Sequence, residues 1–190
     1  MTSTLSRGIW MLDDGFKRQQ KTDKTLETGP MQTLIPIAER IAARLVERGE
    51  SVAVSESSSG GLVSAALLAV PKASVWYQGS SITYTPNVAR GLLGITRETM
   101  PKGIRSSTEP YALFMAGVIR EKLRGTWGLC ETGAAGPEGN PYGDAAGHTC
   151  VGIIGPVEAS FTLETGDSDR AGNMLLFARF ALERFEEVLS

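Results

Sequence analysis

The hydrophobic positions along the chain change period several times, and each change marks an element. Between Met31 and Arg48, the residues Leu34, Ile37, Ala38, Ile41, Ala42 and Leu45 recur at steps of three and four. That spacing puts them on one face of a helix, with Glu39, Arg40, Arg44, Glu47 and Arg48 on the other and Gly49 as its left-handed stop. Val52 to Ser55 reads as a short buried strand, and Gly60 to Val70, closed by Pro71, as a buried helix. A strand is placed at Ser80–Tyr84 and a short helix at Asn87–Leu93. A third long helix starts with Ser106 or Ser107 as cap and Pro110 in its first turn. It buries Leu113, Met115, Ala116, Ile119 and Leu123 and ends at Gly125. Strands follow at Thr126–Thr132, His148–Ile154 and Ala159–Glu164, with a loop from Gly133 to Gly147. Asp167-Ser168-Asp169 caps a last helix to about Val188, with Leu175, Leu176, Ala178, Phe180, Ala181 and Phe185 inward. Helices alternating with short apolar strands predict an α/β fold, a three-layer α/β/α domain with helices on both faces of one central sheet. Residues 1–30 show no sustained period and end in Gly29-Pro30. They read as an arm, either a disordered tail or a segment docking through Ile9-Trp10-Met11, ahead of one domain over residues 31–190.

Composition narrows the partners. The chain has 190 residues, 42% hydrophobic and 21% charged, with a formal net charge of -2. This suits one globular domain and leaves no basic footprint for nucleic acid. Its longest apolar run, Leu62 to Val70, falls short of the roughly 20 residues a membrane span needs. Cys130 and Cys150 form no disulfide framework, and one histidine, His148, with two distant cysteines builds no usual zinc site. No metal and no cofactor are expected. The N-terminus carries no secretory signal, and its mixed charges do not favour an organelle presequence, so the expected location is cytoplasmic.

Chemistry concentrates at three strand ends rich in small polar residues: Glu56-Ser57-Ser58-Ser59-Gly60-Gly61, Tyr84-Thr85-Pro86-Asn87, and the loop Gly133 to Gly147, with five glycines in fifteen residues. Ligands in open α/β sheets sit outside the carboxyl ends of strands, so these segments point to one shared site. From the residues alone, the serine cluster is either a helix cap or a nucleophile turn, and the glycine loop either an anion cradle or a flexible turn. Glu56 either caps or orients. His148 is a structural histidine or a base, and Glu131 and Glu138 are solvated charges or carboxylates of the site.

Several of these segments resemble the CinA C-terminal family, which includes nicotinamide mononucleotide (NMN) deamidases. Glu56 to Gly61 is similar to its Ala-Glu-Ser-Cys-Thr-Gly-Gly, and Gly79-Ser-Ser-Ile-Thr-Tyr84 to its Gly-Phe-Val-Thr-Tyr. Leu92-Leu93-Gly94-Ile95 resembles Leu-Leu-Gly-Val, Thr132-Gly-Ala-Ala-Gly-Pro137 resembles Ser/Thr-Gly-Ile-Ala-Gly-Pro, and Gly166-Asp167 resembles the end of Pro-Gly-Asp. The resemblance spans about residues 32–188. It implies a metal-independent amidohydrolase that turns NMN into nicotinate mononucleotide and ammonia, with Ser57 as nucleophile and Tyr84 as a second catalytic residue. Glu56, Ser58, Ser59, Gly60, Thr132, Gly133, Ala134 and Gly136 are the expected substrate-binding residues, together with Arg90. A homo-oligomer is expected.

The chain also departs from the family pattern. Where the family's Tyr-Ser-Asn-x-x-Lys supplies a lysine as general base, an ungapped reading places Ala89, and Arg90 follows. Arginine stays charged at neutral pH, so it binds anions and does not take up a proton. The Lys-Pro-Val-Gly-Thr before the next strand has become Asp144-Ala-Ala-Gly-His148, and of the basic residues opening the last helix only Arg170 is left. Two functions therefore stand side by side: an amidohydrolase, and a degenerate relative that keeps a nucleotide pocket or serves as a scaffold.

Overall fold

A computed structural model describes residues 29–190; the N-terminal arm read over residues 1–30 therefore lies almost wholly outside the described residues. Helix α1 (Pro30–Arg48) leads into strand β1 (Val52–Glu56), helix α2 (Leu62–Ala69) and, after a short turn, strand β2 (Tyr77–Ile82). A helical turn at Pro86–Val88 widens into a π-turn over Ala89–Leu93, closed by Gly94 in the left-handed region. Helix α3 (Glu109–Leu123) precedes strands β3 (Trp127–Ala134), β4 (His148–Ile154) and β5 (Glu158–Glu164), and helix α4 (Arg170–Val188) closes the chain.

The five strands form one mixed sheet in the order β2-β1-β3-β4-β5. β1 runs parallel to both β2 and β3, while β3, β4 and β5 are antiparallel neighbours. The carboxyl ends of β1, β2 and β3 thus share one edge of the sheet, where the serine turn, Tyr84 and the glycine loop emerge. Helices α1, α2 and α4 pack on one face, over Val52, Val54, Trp127, Leu129, Val151 and Ile153. On the other face lies α3, against Ala53, Cys130 and Cys150. The predicted three-layer arrangement is the one observed.

Close packing of α3 is made possible by glycine at two sheet positions. A Cβ on Gly128 would stand 2.0 Å from the Ala116 carbonyl oxygen, and one on Gly152 would stand 2.3 Å from the Ala112 carbonyl carbon. The helix backbone rests directly on the strands there, which no larger residue permits.

Several boundaries differ from the sequence reading, each for a local reason. β2 lies at Tyr77–Ile82 and not at Ser80–Tyr84, because its pairing to β1 runs from Val52↔Tyr77 to Glu56↔Ile82. The cap of α3 is Thr108, whose hydroxyl accepts from the Tyr111 N–H, and not Ser106 or Ser107; its stop is Arg124 in the left-handed region, one residue before Gly125. β3 continues two residues into the glycine segment, to Ala134, by pairing with His148. The inward face of α4 carries Asn173, Phe177, Ala178, Ala181, Leu182 and Phe185, while Leu176 is 45% exposed. Leu113, read as inward on α3, is only half-buried, and Ala112 takes the core position.

Candidate active site

The β1–α2 corner is built around a buried carboxylate. Glu56, the last residue of β1, is fully buried. Its carboxylate accepts from the N–H groups of Gly61, Val63 and Ser64 at 2.8–3.0 Å, and from the hydroxyls of Ser59 and Ser64. The first N–H groups of a helix have no partner of their own, and Gly61 at the α2 N-cap offers no side chain. Glu56 fills that place, and its negative charge suits the positive end of the helix. Its oxygens are spent inside the protein. Glu56, expected as a substrate-binding residue, thus caps α2. Ser59, also expected to bind substrate, is fully buried and donates to Glu56.

A second carboxylate holds the serine turn from the other side. Glu131 on β3, read as a solvated charge or a carboxylate of the site, is 1% exposed. Oε2 accepts from the N–H groups of Ser57 at 3.2 Å and Ser59 at 2.8 Å. Oε1 accepts from the hydroxyls of Thr149, at 2.8 Å, and Ser58. Strand alternation explains the burial: Trp127, Leu129 and Glu131 share the face that looks toward α2 and α4. Of the three serine hydroxyls at this corner, Ser58's goes to Glu131 and Ser59's to Glu56. The Ser57 hydroxyl makes no hydrogen bond to any of the described residues, and Ser57 is half-buried where Ser58 and Ser59 are buried.

Beside this corner a cleft of about 210 Å³ opens. Ser58, Tyr84, Gly133, Ala134, Ala135 and Gly136 line it, with Glu138, Gly139, Asn140, Pro141 and Arg170 completing the wall. Gly136 sits at φ 111°, and a Cβ there would fall 2.7 Å from the Ser168 carbonyl oxygen, so the loop folds against the start of α4 only as glycine. Arg170, at that start, donates to the Gly136 carbonyl at 2.5 Å and to the Tyr84 hydroxyl at 3.1 Å. Its guanidinium also lies over the Tyr84 ring at 6.0 Å, so one side chain ties the two walls of the cleft together.

The outer glycine loop is fixed by Asp144, which takes a two-pronged bond from Arg105 at 2.6 and 2.8 Å and one from Asn140 at 2.8 Å. The Arg105 hydrogen bonds hold the Asp144 carboxyl down at about 2, against a smaller opposing effect of burial. His148 closes the loop. Nδ1 faces a Glu164 carboxylate oxygen at 2.5 Å and Nε2 faces the Ser107 carbonyl oxygen at 2.9 Å. Both partners are acceptors, so the arrangement is satisfied in full only by the doubly protonated imidazolium. Burial pulls the His148 pKa down, but Glu164, the Ser107 carbonyl and Asp144 together outweigh it and leave it raised. His148 is a structural clasp and no part of the cleft lining.

The expected site residues therefore divide. Ser58, Tyr84, Gly133, Ala134 and Gly136 meet at the cleft, with Ser57 next to them in the turn. Gly60 is exposed, and a Cβ there would meet the Met174 methyl at 2.6 Å. Thr132 is 3% exposed and accepts from the Ser107 N–H instead of lining the cleft. Arg90 is outside the cleft wall too, an exposed residue bonded to Asn87 three positions earlier at 2.8 Å, and Ala89 is buried. Arg170, which completes the cleft wall, was not among the expected substrate-binding residues. It had a signal in the sequence, as the last basic residue at the opening of a helix. Glu131, read as a solvated charge or a carboxylate of the site, holds the serine turn from behind and is not part of the cleft lining.

Comparison with known proteins settles the family. Residues 34–189 match the CinA C-terminal domain. The chain belongs to the CinA C-terminal domain family. A CinA-like protein of Synechococcus elongatus is 35% identical over 120 residues, covering 63% of this chain and 28% of that protein. Another, from Chlorobium limicola, is 33% identical over 137 residues, covering 72% of this chain and 32% of the relative. The matched region thus spans about a third or less of these curated CinA-like relatives. Among solved structures, a competence/damage-inducible protein from Agrobacterium tumefaciens superposes with a TM-score of 0.73 at 27% identity, covering 85% of this chain and 96% of its own. A CinA superfamily protein from Enterobacter cloacae gives a TM-score of 0.75 at 22% identity, covering 100% and 99%, and is similar in fold. Among the described residues, no helix is long and apolar enough to cross a membrane.

Proposed function

We propose that this CinA-like chain hydrolyses a small amide, with NMN as the first substrate to test, through the hydroxyl of Ser57. The observation that carries this reading is the state of the three serine hydroxyls: two are committed to buried carboxylates, and Ser57's is left without a partner among the described residues. In the reaction the Ser57 oxygen bonds to the amide carbon, the carbon–nitrogen bond breaks, and the nitrogen leaves as ammonia with the proton given up by Ser57. Water then releases the acid. Among the cleft-lining residues Glu138 alone carries a carboxylate, and it is the group offered here to relay that proton. Arg170 is the cationic member of the lining, which suits a substrate bearing phosphate at that end. Purified protein mixed with NMN is expected to release ammonia, and Ser57→Ala to abolish the release. Equal release from both proteins would refute the assignment.

A second reading rests on Ala89. It is 7% exposed where the family pattern has its lysine, and Arg90 is bonded to Asn87. On this reading the chain binds a nucleotide without turning it over. Saturable NMN binding by calorimetry with no ammonia formed would select it over hydrolysis.

A further inference from the structure

We infer that Glu131 is a positioning residue of this site: its carboxylate holds the serine turn in the one shape that keeps the Ser57 hydroxyl uncommitted. The inference rests on the hydrolytic reading above and adds the element that organises its nucleophile. Glu131 is almost wholly buried and meets no cation among the described residues; hydrogen-bond donors alone satisfy it. The donors are divided between its two oxygens. Oε2 takes two backbone N–H groups, those of Ser57 and Ser59, which sit on either side of Ser58. Oε1 takes two hydroxyls, those of Ser58 and Thr149.

This division decides what Glu131 does. With four donors on its two oxygens, the Glu131 carboxylate is committed to the turn and immobilises the Ser58 hydroxyl. The backbone N–H groups can only donate, so whatever faces them must be an acceptor. The hydroxyls are free to rotate and can donate or accept. Thr149 has a further acceptor at hand in the Thr132 carbonyl, 3.3 Å away. A glutamine therefore fits the same place, its oxygen toward the N–H pair and its amide nitrogen toward the hydroxyls. An aspartate keeps the charge and is one carbon short of the reach. The two substitutions separate placement from charge.

The experiment compares Glu131→Gln and Glu131→Asp in the full chain, reading kcat and KM for NMN, the melting temperature, and backbone amide exchange by NMR. Placement predicts that Glu131→Gln keeps kcat within about 3-fold of the parent. Glu131→Asp is expected to lose roughly 10²-fold in kcat with KM little changed, since a displacement near 1 Å costs about that much. In the exchange measurement, the amides of Ser57 and Ser59 stay protected in Glu131→Gln and exchange at least about 10-fold faster in Glu131→Asp. The reverse order of the two variants, equal loss in both, or parental behaviour in both would overturn the inference. If the parent protein itself does not turn over NMN, the hydrolytic reading fails by that result alone. The amide exchange of the two variants then still decides whether Glu131 holds the turn.

Discussion

At Glu56 a side chain does the work that backbone does elsewhere, because three N–H groups at the start of α2 close on one carboxylate. Replacing it by leucine leaves those donors buried and unpaired. At 1–3 kcal/mol for each orphaned group, Glu56→Leu is expected to cost about 4 kcal/mol of folding stability, read as a lower midpoint of urea unfolding. The corner also marks how far sequence reaches at this scale. The strand-to-helix turn, its serines and its glycines are legible, since they are local and rich in turn formers. The fate of each hydroxyl is not. Ser58 is committed by Glu131, a residue more than seventy positions away, and only the pairing of β1 with β3 brings the two together. Charge and a loop-side position left Glu131 open as a solvated charge or a site carboxylate; strand alternation puts it on the face of Trp127 and Leu129, which α2 and α4 cover.

Among the elements, α4 tests the reading of a helical face. The sequence places Leu176 inward, whereas Phe177 and Leu182 are fully buried and Leu176 is half exposed. Asn173 explains the shift. It is 1% exposed, donates to the carbonyls of Ala135 and Asp167, and accepts from Thr165, which fixes the rotation of the first turns and carries Phe177 to the core. A polar anchor of that kind is invisible to a hydrophobic period. Phe177→Ala is expected to cost about 3–5 kcal/mol and Leu176→Ala within about 0.5, compared by thermal unfolding. On the opposite face, Gly152→Ala should cost about 2–3 kcal/mol, because the added carbon meets the backbone of α3. The β4–β5 edge carries a pH dependence. A His148 pKa raised in the folded state contributes stability that is fully present below its ordinary value of 6.5 and is lost as the pH rises through the raised value. Asp144 works in the opposite sense, its contribution being present above 3.8 and lost as the pH falls toward about 2. The urea midpoint is expected to fall as the pH is taken upward from 6.5, and His148→Gln to flatten that decline.

On the scale of the whole molecule, the alternation of helices and strands was sufficient to foresee three layers and one sheet. The cleft was foreseen only as three strand ends that ought to converge. What closes it is α4, whose first residue, Arg170, bonds both to Tyr84 and to Gly136. The far end of the same helix is tied to α1 through Arg40 and Glu186 and through Arg48 and the Leu189 carbonyl. This division of the cleft among distant segments has a consequence for the protein while it is being made. Chains are synthesised from the N-terminus and fold as they emerge. Ser57 therefore leaves the ribosome long before Glu131 can seat its turn, and longer still before Arg170 can join the walls. A nascent chain carries the serine but no pocket around it. The cleft comes into being only with the last helix, so a chain cut short of Arg170 lacks the side chain that joins Tyr84 to Gly136.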